Sequence, residues 1–212
     1  MARLRTFGAA ATITILIGAA ACNTPPTPGI ARGEALYGTC VPCHGSDGAG
    51  AEALGAPVIA GLPQWYITSQ LQKYQTSMRG ANPFDTVGLR MKSMSMSLDL
   101  EGDLESVSEY VASMPVVPAT STLAEGDAAA GQLAYGLCAA CHGPQGAGNE
   151  ALNAPPLTGQ HDWYLLAQLQ KFRSGWRGAS EGDIWGATMR PNAMTIDDQA
   201  MADVVAYIQT LN

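Results

Sequence analysis

Apolar residues recur at helical spacing in three segments of the first half of the chain and in three matching segments of the second half. The predicted helices span about residues 31–39, 64–78, 100–113, 128–137, 162–176 and 197–211. No segment shows the strict alternation of apolar and polar residues that is typical of strands. The pattern therefore predicts an all-α protein.

Loops rich in glycine and proline separate these helices. They span residues 45–63 and 143–160, and each follows shortly after the first helix of its half. Because they are polar and punctuated by glycine, they predict an irregular chain that wraps around a bound object. A second loop is expected before the last helix of each half.

The two halves are copies of one sequence at an offset of 98 residues. The segment 70–73, Gln-Leu-Gln-Lys, recurs unchanged at 168–171. No gap is needed until after the methionine-rich region, where Tyr110 pairs with Tyr207 at an offset of 97. A period of this length is too long for a solenoid unit and indicates duplication of a small globular domain.

Each copy contains two cysteines that are separated by two residues and followed directly by histidine. The motifs are Cys40-Val41-Pro42-Cys43-His44 and Cys138-Ala139-Ala140-Cys141-His142. This pattern is the attachment signal for c-type haem. Each thiol adds to one vinyl group of the porphyrin, so the cysteines stand about one turn apart, and the histidine becomes the proximal iron ligand. A redox dithiol or half a zinc site has similar spacing, but two copies inside a longer repeat favour two covalently bound haems.

A domain of roughly 90 residues with three helices buries little apolar surface by itself. A haem would supply the missing core. The sequence therefore predicts two such domains, residues 31–114 and 128–212, joined by a linker over 115–127 that contains two prolines.

The first 21 residues have the composition of an export signal. Arg3 and Arg5 supply a positive start, an apolar core too short to span a bilayer follows, and small residues precede the predicted cleavage point. A retained membrane anchor is the alternative. Attachment of haem to such motifs takes place after secretion, which favours the export signal.

Cys22 follows Gly-Ala-Ala-Ala, which resembles a bacterial lipoprotein processing site whose cysteine becomes the lipid-modified first residue. Ala19 stands where such sites usually have leucine, so ordinary signal cleavage nearby is the alternative. Residues 22–30 are rich in proline and threonine and predict a flexible tether.

The chain is acidic, with 11 Lys and Arg against 18 Asp and Glu. An acidic surface argues against nucleic acid as a partner. It permits docking to a basic patch on another protein, although charge alone cannot identify that protein.

Methionines are the candidates for the second axial ligand, because two of the three histidines belong to the haem motifs. Met91 aligns with Met189, and Met96 aligns with Met194. We favour Met91 and Met189, which are predicted to lie in the loop before the last helix, where a sulfur can approach iron opposite the histidine. Met96 and Met194 are the runners-up and are expected to pack in the core.

A haem iron held by histidine and methionine is coordinatively full. The thioether favours the ferrous state and raises the reduction potential. Such an iron does not readily bind peroxide or oxygen, so one-electron transfer is the expected chemistry.

The sequence also predicts the positions or roles of three further residues. His161 aligns with Pro63, so it cannot serve both haems and is predicted to lie at the surface near a helix start. Arg79 and Arg177 recur before the methionine region, and each guanidinium can pair with a haem propionate. A solvated surface position is the alternative for both.

Residues 33–211 resemble the dihaem cytochromes c of the c4 type. Beyond the haem motifs, the resemblance rests on a methionine seven residues before the apolar residue that opens the last helix, on a proline in the loop after the motif, and on a tyrosine in the last helix. These features are Met91/Leu98 and Met189/Ile196, Pro57 and Pro155, and Tyr110 and Tyr207.

The resemblance implies two tandem class I cytochrome c domains, each made of a few helices around one covalently bound haem. It implies His44 with Met91, and His142 with Met189, as iron ligands. The implied function is electron shuttling in the periplasm or at the membrane face, from a redox donor towards a terminal oxidase or reductase. The cluster of Met91, Met94 and Met96 leaves the choice of ligand open in the first domain.

Two other functions remain open. A haem-bearing subunit of a larger respiratory complex, anchored by a lipid on Cys22, would use the same chemistry. A dihaem redox enzyme, such as a peroxidase or a thiosulfate-oxidising cytochrome, would need an open iron or a histidine or cysteine ligand. The sequence has no spare pair of histidines or cysteines for that purpose.

Overall fold

The computed structural model describes residues 27–98, 100–123 and 125–211. The predicted export signal, Cys22 and the start of the tether lie outside these residues. Within the described ranges the chain forms helices and no strand, and its β-type pairing is limited to isolated bridges. The all-α prediction is confirmed. No helix in these ranges combines the length and the apolar character needed to cross a bilayer.

Each half of the chain folds into one helical domain. The first contains α1 (Ile30–Tyr37), α2 (Val41–His44), α3 (Gln64–Gln75), α4 (Thr86–Ser95) and α5 (Asp103–Ser113). The second contains α6 (Ala128–His142), α7 (Asp162–Arg173), α8 (Ile184–Met194) and α9 (Asp198–Gln209). A short 3-10 turn follows each haem motif, at Glu52–Leu54 and at Glu150–Leu152.

Helices α4 and α8 occupy the segments for which the sequence pattern predicts a loop, so that prediction is wrong. Each helix begins after an aspartate whose carboxylate accepts a backbone N–H of the first turn. Asp85 accepts from Gly88 at 2.8 Å, and Asp183 accepts from Gly186 at 3.0 Å. These N-caps outweigh the glycine in each helix and, in α8, the internal Pro191.

The helix that carries the second haem motif is continuous, whereas α1 and α2 are separate. Pro42 accounts for the difference, because it has no N–H and in a continuous helix its ring would clash with the carbonyl of Gly38, four residues earlier. Ala140 stands at the matching place in α6, which continues to His142 rather than ending near residue 137 as predicted.

The first and last helices of each domain cross at a glycine. A Cβ atom on Gly33 would lie 2.0 Å from the backbone oxygen of Ser106, and one on Gly131 would lie 1.9 Å from that of Asp203. Only glycine permits this approach. The crossing therefore sets the distance between α1 and α5 and between α6 and α9.

The two domains meet through a polar interface. The segments that follow α3 and α7 form an antiparallel backbone bridge between Arg79 and Arg177. The side chain of Gln160 accepts from the N–H of Val58 at 3.1 Å and donates to its carbonyl at 2.9 Å. Both buried backbone groups of Val58 are therefore paired across the boundary.

Asp162, the first residue of α7, holds the interdomain linker. Its carboxylate accepts from the hydroxyl of Ser121 at 2.7 Å, and from the backbone N–H groups of Thr122 at 2.7 Å and Leu123 at 2.8 Å. The middle of the linker is thereby fixed to the second domain.

Candidate haem-binding site

One cavity of about 610 Å³ reaches into both domains and is lined by the cysteines and histidines of both motifs. Its walls are mainly apolar and come from α3, α5 and the chain before it, and from α7 and α9. They include Leu71, Leu98, Val107 and Val111 in the first domain, and Leu165, Leu169, Val204 and Ile208 in the second. The helices that pack around each motif therefore also enclose the space next to it.

His44 and His142 are buried, and a backbone carbonyl orients each ring. The Nδ1 atom of His44 lies 3.1 Å from the oxygen of Pro57, and that of His142 lies 2.8 Å from the oxygen of Pro155. Because a carbonyl only accepts, Nδ1 carries the proton and Nε2 keeps its lone pair, as in metal-bound histidine. Burial lowers the pKa of both rings, which favours the neutral form that binds a metal.

The loop after each motif has a fixed shape that brings this carbonyl to the imidazole. In the first domain Ala51 and Ala56 exchange backbone hydrogen bonds of 2.8 and 3.0 Å, and the hydroxyl of Tyr37 donates to the carbonyl of Gly45 at 2.7 Å. The same bonds recur in the second domain, joining Asn149 to Ala154 and Tyr135 to Gly143. The glycine-rich segments thus do wrap the cavity, through defined turns.

The four motif cysteines are half-buried and line the cavity. Burial raises the pKa of Cys40 and Cys138. A redox-active dithiol needs a thiol with a lowered pKa. The environment of Cys40 and Cys138 therefore disfavours the dithiol alternative.

Met91 and Met189 line the cavity from within α4 and α8 rather than from a loop. Met96 and Met194 are 55% and 60% exposed and do not contribute to the cavity lining. The prediction that these two pack in the core is wrong, because each lies at the end of its helix, facing solvent.

Met94 is a further sulfur at the cavity of the first domain. At the matching position of the second domain Asn192 lines the cavity, so this sulfur has no equivalent there. The two domains share a lining methionine only at Met91 and Met189.

A polar cluster, which we call the arginine cluster, lines the cavity where the domains meet. Its members are Gln70, Arg79 and Tyr66 from the first domain, and Gln168, Arg177 and Tyr164 from the second. Arg79 donates to Gln70 at 2.9 Å, to Tyr164 at 2.9 Å and to Gln168 at 3.0 Å. Arg177 mirrors this pattern, with bonds to Gln168 at 3.0 Å, Gln70 at 2.9 Å and Tyr66 at 3.3 Å.

The arginine cluster holds two cations without a carboxylate partner among the described residues. Arg79 is only 7% exposed, so the alternative of a solvated surface position is wrong for it. Burial of an unpaired charge is costly, and the arrangement favours an anion in the cavity. Burial alone would raise the pKa of Tyr164, but the nearby guanidiniums of Arg79 and Arg177 bring it below the usual tyrosine value.

His161 lies just before α7 and is buried, which corrects the prediction of a surface position. Its Nε2 atom lies 2.9 Å from the carbonyl oxygen of Ala49 in the first domain, and its ring stacks on Trp163. It therefore joins the two domains and does not line the cavity.

The sequence-based predictions do not identify four charged residues that pair at the domain boundary. Lys73 lies 2.7 Å from Asp183, and Lys171 lies 2.7 Å from Asp85. The available signal is that all four recur at the offset of 98 residues. Sequence does not reveal that each lysine pairs with the aspartate of the other copy.

A family model described as cytochrome c matches the chain twice, over residues 30–115 and 128–212. The chain belongs to the cytochrome c family. This cytochrome c is 32% identical over 195 residues to cytochrome c4 of Azotobacter vinelandii, a match that covers 86% of this chain and 89% of the relative. It is 34% identical to the thiosulfate dehydrogenase electron acceptor of Stutzerimonas stutzeri strain A1501, over 80% of this chain and 78% of the relative.

A solved structure agrees with these matches. Reduced recombinant cytochrome c4 from Pseudomonas stutzeri superposes on this cytochrome c with a TM-score of 0.67 and 30% identity, over 88% of this chain and 100% of that chain. The resemblance to dihaem cytochromes of the c4 type and the fold of two cytochrome c domains are confirmed.

The residues of this cytochrome c fit one covalently bound haem in each domain. Each motif offers two half-buried thiols and an imidazole that a backbone carbonyl orients, beside apolar walls. The unpaired guanidiniums of Arg79 and Arg177 suit the carboxylates of haem propionates. Two covalently bound haem c groups are its cofactors.

Proposed function

We propose that this cytochrome c carries single electrons between redox proteins, with each iron closed by a histidine and a methionine. The observation that supports this most directly is the repeated set of donors at one cavity, His44 and Met91 in the first domain and His142 and Met189 in the second. Haem held in this way supplies one-electron chemistry at a potential that the thioether raises.

The protein contributes a mainly apolar site whose candidate ligands lie on helices. The histidines end α2 and α6, the methionines lie within α4 and α8, and apolar side chains form most of the wall. Ligands fixed on helices keep the coordination the same in both redox states, so little rearrangement accompanies electron transfer. A full coordination shell leaves no position for peroxide, which supports a carrier rather than an enzyme.

Arg79 and Arg177 are the proposed propionate contacts. Their planar guanidiniums match the geometry of a carboxylate, and they line the cavity from opposite sides of the domain boundary. Contacts of this kind would connect both haems to one arginine cluster and favour passage of an electron from one domain to the other.

The proposed setting is the periplasm or the membrane face. The composition of residues 1–21 supports export, and the excess of acidic residues suits docking to a basic patch on a redox partner. A terminal oxidase or reductase is the proposed acceptor. A lipid on Cys22 would anchor the protein, in which case Cys22→Ser should move it from the membrane fraction to the soluble fraction.

One comparison favours a particular kind of donor. The relative from Stutzerimonas stutzeri is named as the electron acceptor of thiosulfate dehydrogenase. A thiosulfate-oxidising enzyme is therefore a candidate donor for this cytochrome c. Rapid reduction of its haems by thiosulfate only when such an enzyme is added would support this pairing.

An anaerobic reductive titration of the mature, haem-loaded protein tests the carrier function. We expect two electrons per chain, two low-spin haems, and no consumption of peroxide or thiosulfate by the purified protein alone. The reduced protein should be reoxidised by membranes that contain a terminal oxidase. Catalytic turnover of peroxide or thiosulfate by the protein alone would overturn the carrier function.

A further inference from the structure

Two lysine–aspartate pairs cross the domain boundary at equivalent positions of the two copies. The Nζ atom of Lys171 lies 2.7 Å from Oδ1 of Asp85, with side chains 17% and 5% exposed. The Nζ atom of Lys73 lies 2.7 Å from Oδ1 of Asp183, with side chains 18% and 2% exposed. Each pair joins α3 or α7 to the start of the methionine-bearing helix in the other domain.

The aspartate of each pair also caps that helix. Oδ1 of Asp85 accepts from the N–H of Gly88 at 2.8 Å, and Oδ1 of Asp183 accepts from the N–H of Gly186 at 3.0 Å. One carboxylate oxygen therefore receives both the first turn of the helix and the ammonium group from the other domain. A displacement of the lysine must act on the cap.

The start of each methionine-bearing helix packs closely against its neighbours. A Cβ atom on Gly88 would lie 2.3 Å from Oδ2 of Asp85, and one on Gly186 would lie 2.2 Å from Oδ2 of Asp183. A Cβ atom on Gly80, next to Arg79, would lie 2.3 Å from the carbonyl oxygen of Gly88. The helix start is thus held between the arginine segment of its own domain and the lysine of the other.

We propose that Lys171 and Lys73 are positioning residues for the sixth iron ligand of the opposite domain. Lys171 acts through Asp85 on α4 and Met91, and Lys73 acts through Asp183 on α8 and Met189. We call these two pairs the cross-domain brace. The proposal rests on the proposed function, in which Met91 and Met189 are the ligands.

The two halves of the brace have unequal support. In the first domain the amide of Gln75 donates to the carbonyls of Ser95 and Leu98, at 2.9 and 2.8 Å, which fixes the end of α4. In the second domain Arg173 stands at the position of Gln75 and pairs with Asp198 instead. Helix α8 therefore depends more on its start, and loss of Lys73 should have the larger effect.

The test uses haem-loaded, full-length variants in which only one of the two proposed thioether ligands remains. In a Met189→Ala parent the remaining thioether signal belongs to Met91, and in a Met91→Ala parent it belongs to Met189. Lys171→Leu and Lys73→Leu are introduced into each parent, since both lysines line the cavity and leucine removes the charge without adding a sulfur. The measured quantity is the rate at which added imidazole displaces the thioether from oxidised iron, followed by loss of the near-infrared thioether band.

The expected result is crosswise. In the Met189→Ala parent, Lys171→Leu should speed displacement about tenfold, because only part of the cost of breaking a buried ion pair reaches the methionine, and Lys73→Leu should leave the rate unchanged. In the Met91→Ala parent Lys73→Leu should speed displacement by more than tenfold, and Lys171→Leu should leave the rate unchanged. Asp85→Asn keeps an oxygen for the cap and removes the charge, so it should match Lys171→Leu, and the double variant should add nothing further.

Arg173→Leu is the matched control, because it removes a cation from the same helix as Lys171 without touching the brace. Equal effects of Lys171→Leu and Arg173→Leu, or an effect of each lysine on its own domain, would overturn the brace while leaving the carrier function intact. A Met189→Ala parent that still shows two thioether signals would overturn the ligand assignment and the brace together.

Discussion

The guanidinium of Arg79 in the first domain donates a hydrogen bond of 2.9 Å to the hydroxyl of Tyr164 in the second domain. Arg177 repeats the contact towards Tyr66 at 3.3 Å. Neither cation pairs with a carboxylate of the described residues. We therefore expect the charge of the arginine cluster to act on haem in both domains.

Arg79→Gln should lower the reduction potential of the protein. A positive charge favours the reduced, more negative state of haem, and at an effective dielectric constant near 20 a unit charge about 8–16 Å away contributes roughly 1–2 kcal/mol. That corresponds to roughly 45–90 mV for one electron. A redox titration followed by visible absorbance measures the shift, with the more exposed Arg173→Gln as control. Equal shifts in the two variants would argue against a specific role of the arginine cluster.

Met189→Ala should remove the thioether–iron band of one haem, whereas Met194→Ala should leave both bands. Met189 lines the cavity, and Met194 is 60% exposed at the end of α8. The near-infrared spectrum of each oxidised variant, normalised to haem content, gives the comparison. The opposite outcome would make Met194 the ligand and would require α8 to turn about its axis on haem binding.

Asp162→Asn should destabilise the protein at neutral pH and less so in acid. Although burial opposes it, hydrogen bonds from Ser121, Leu123 and neighbouring N–H groups lower the pKa of Asp162. A lowered carboxyl pKa stabilises the fold fully above the unfolded value of about 3.9, and this contribution disappears as the pH falls through the lower folded value.

We expect Asp162→Asn to reduce the apparent free energy of unfolding by about 1–3 kcal/mol at pH 7, with the difference from the parent shrinking below about pH 4. Guanidinium unfolding at several pH values provides the measurement. Glu181→Gln, at an exposed position, is the control and should change little at any pH. A difference that stays constant down to pH 2 would show that the charge of Asp162 is not what holds the linker.

Two glycines of α6 should respond oppositely to alanine. A Cβ atom on Gly131 would lie 1.9 Å from the backbone oxygen of Asp203, whereas one on Gly136 would meet nothing within 4 Å. Gly131→Ala should cost about 3 kcal/mol or more by forcing α6 and α9 apart. Gly136→Ala should stabilise by up to about 1 kcal/mol through helix propensity. Similar unfolding midpoints for the two variants would contradict the close crossing of these helices.

The haem motifs and the duplicated architecture are predictable from sequence because their requirements are local. Covalent attachment fixes the spacing of Cys138, Cys141 and His142, and a repeated pattern at one offset shows that the second domain copies the first. The helices that form most of the apolar wall, α3, α5, α7 and α9, are equally evident from their apolar spacing.

The methionine-bearing helices are harder to predict, because Gly88, Gly186 and Pro191 weaken their intrinsic propensity. Their N-caps at Asp85 and Asp183 were the usable signal. Once the segment is a helix, residues five positions apart, such as Met91 and Met96, point about 140° apart. Only one of the two can then line the cavity. In a loop, by contrast, the spacing does not determine which methionine faces the cavity.

The domain interface is the least predictable part. Lys171 and Asp85 are far apart in sequence, and recurrence of both at the same offset does not show that each pairs with the other copy. His161 has no counterpart in the first copy, so the sequence predicts a surface position. Its hydrogen bond to Ala49 forms only when the two domains dock. Recurrence at one offset marks some of the residues that form these contacts, but it does not show which copy each of them contacts.

The central claim is that two haems, each closed by nitrogen on one side and sulfur on the other, make this protein a carrier of single electrons. The near-infrared spectrum of the oxidised native protein, scaled to haem content per chain, tests it most directly. We predict a thioether–iron band equivalent to two low-spin haems per chain. A band for one haem or none, or a high-spin signal from an iron with an open position, would contradict the claim.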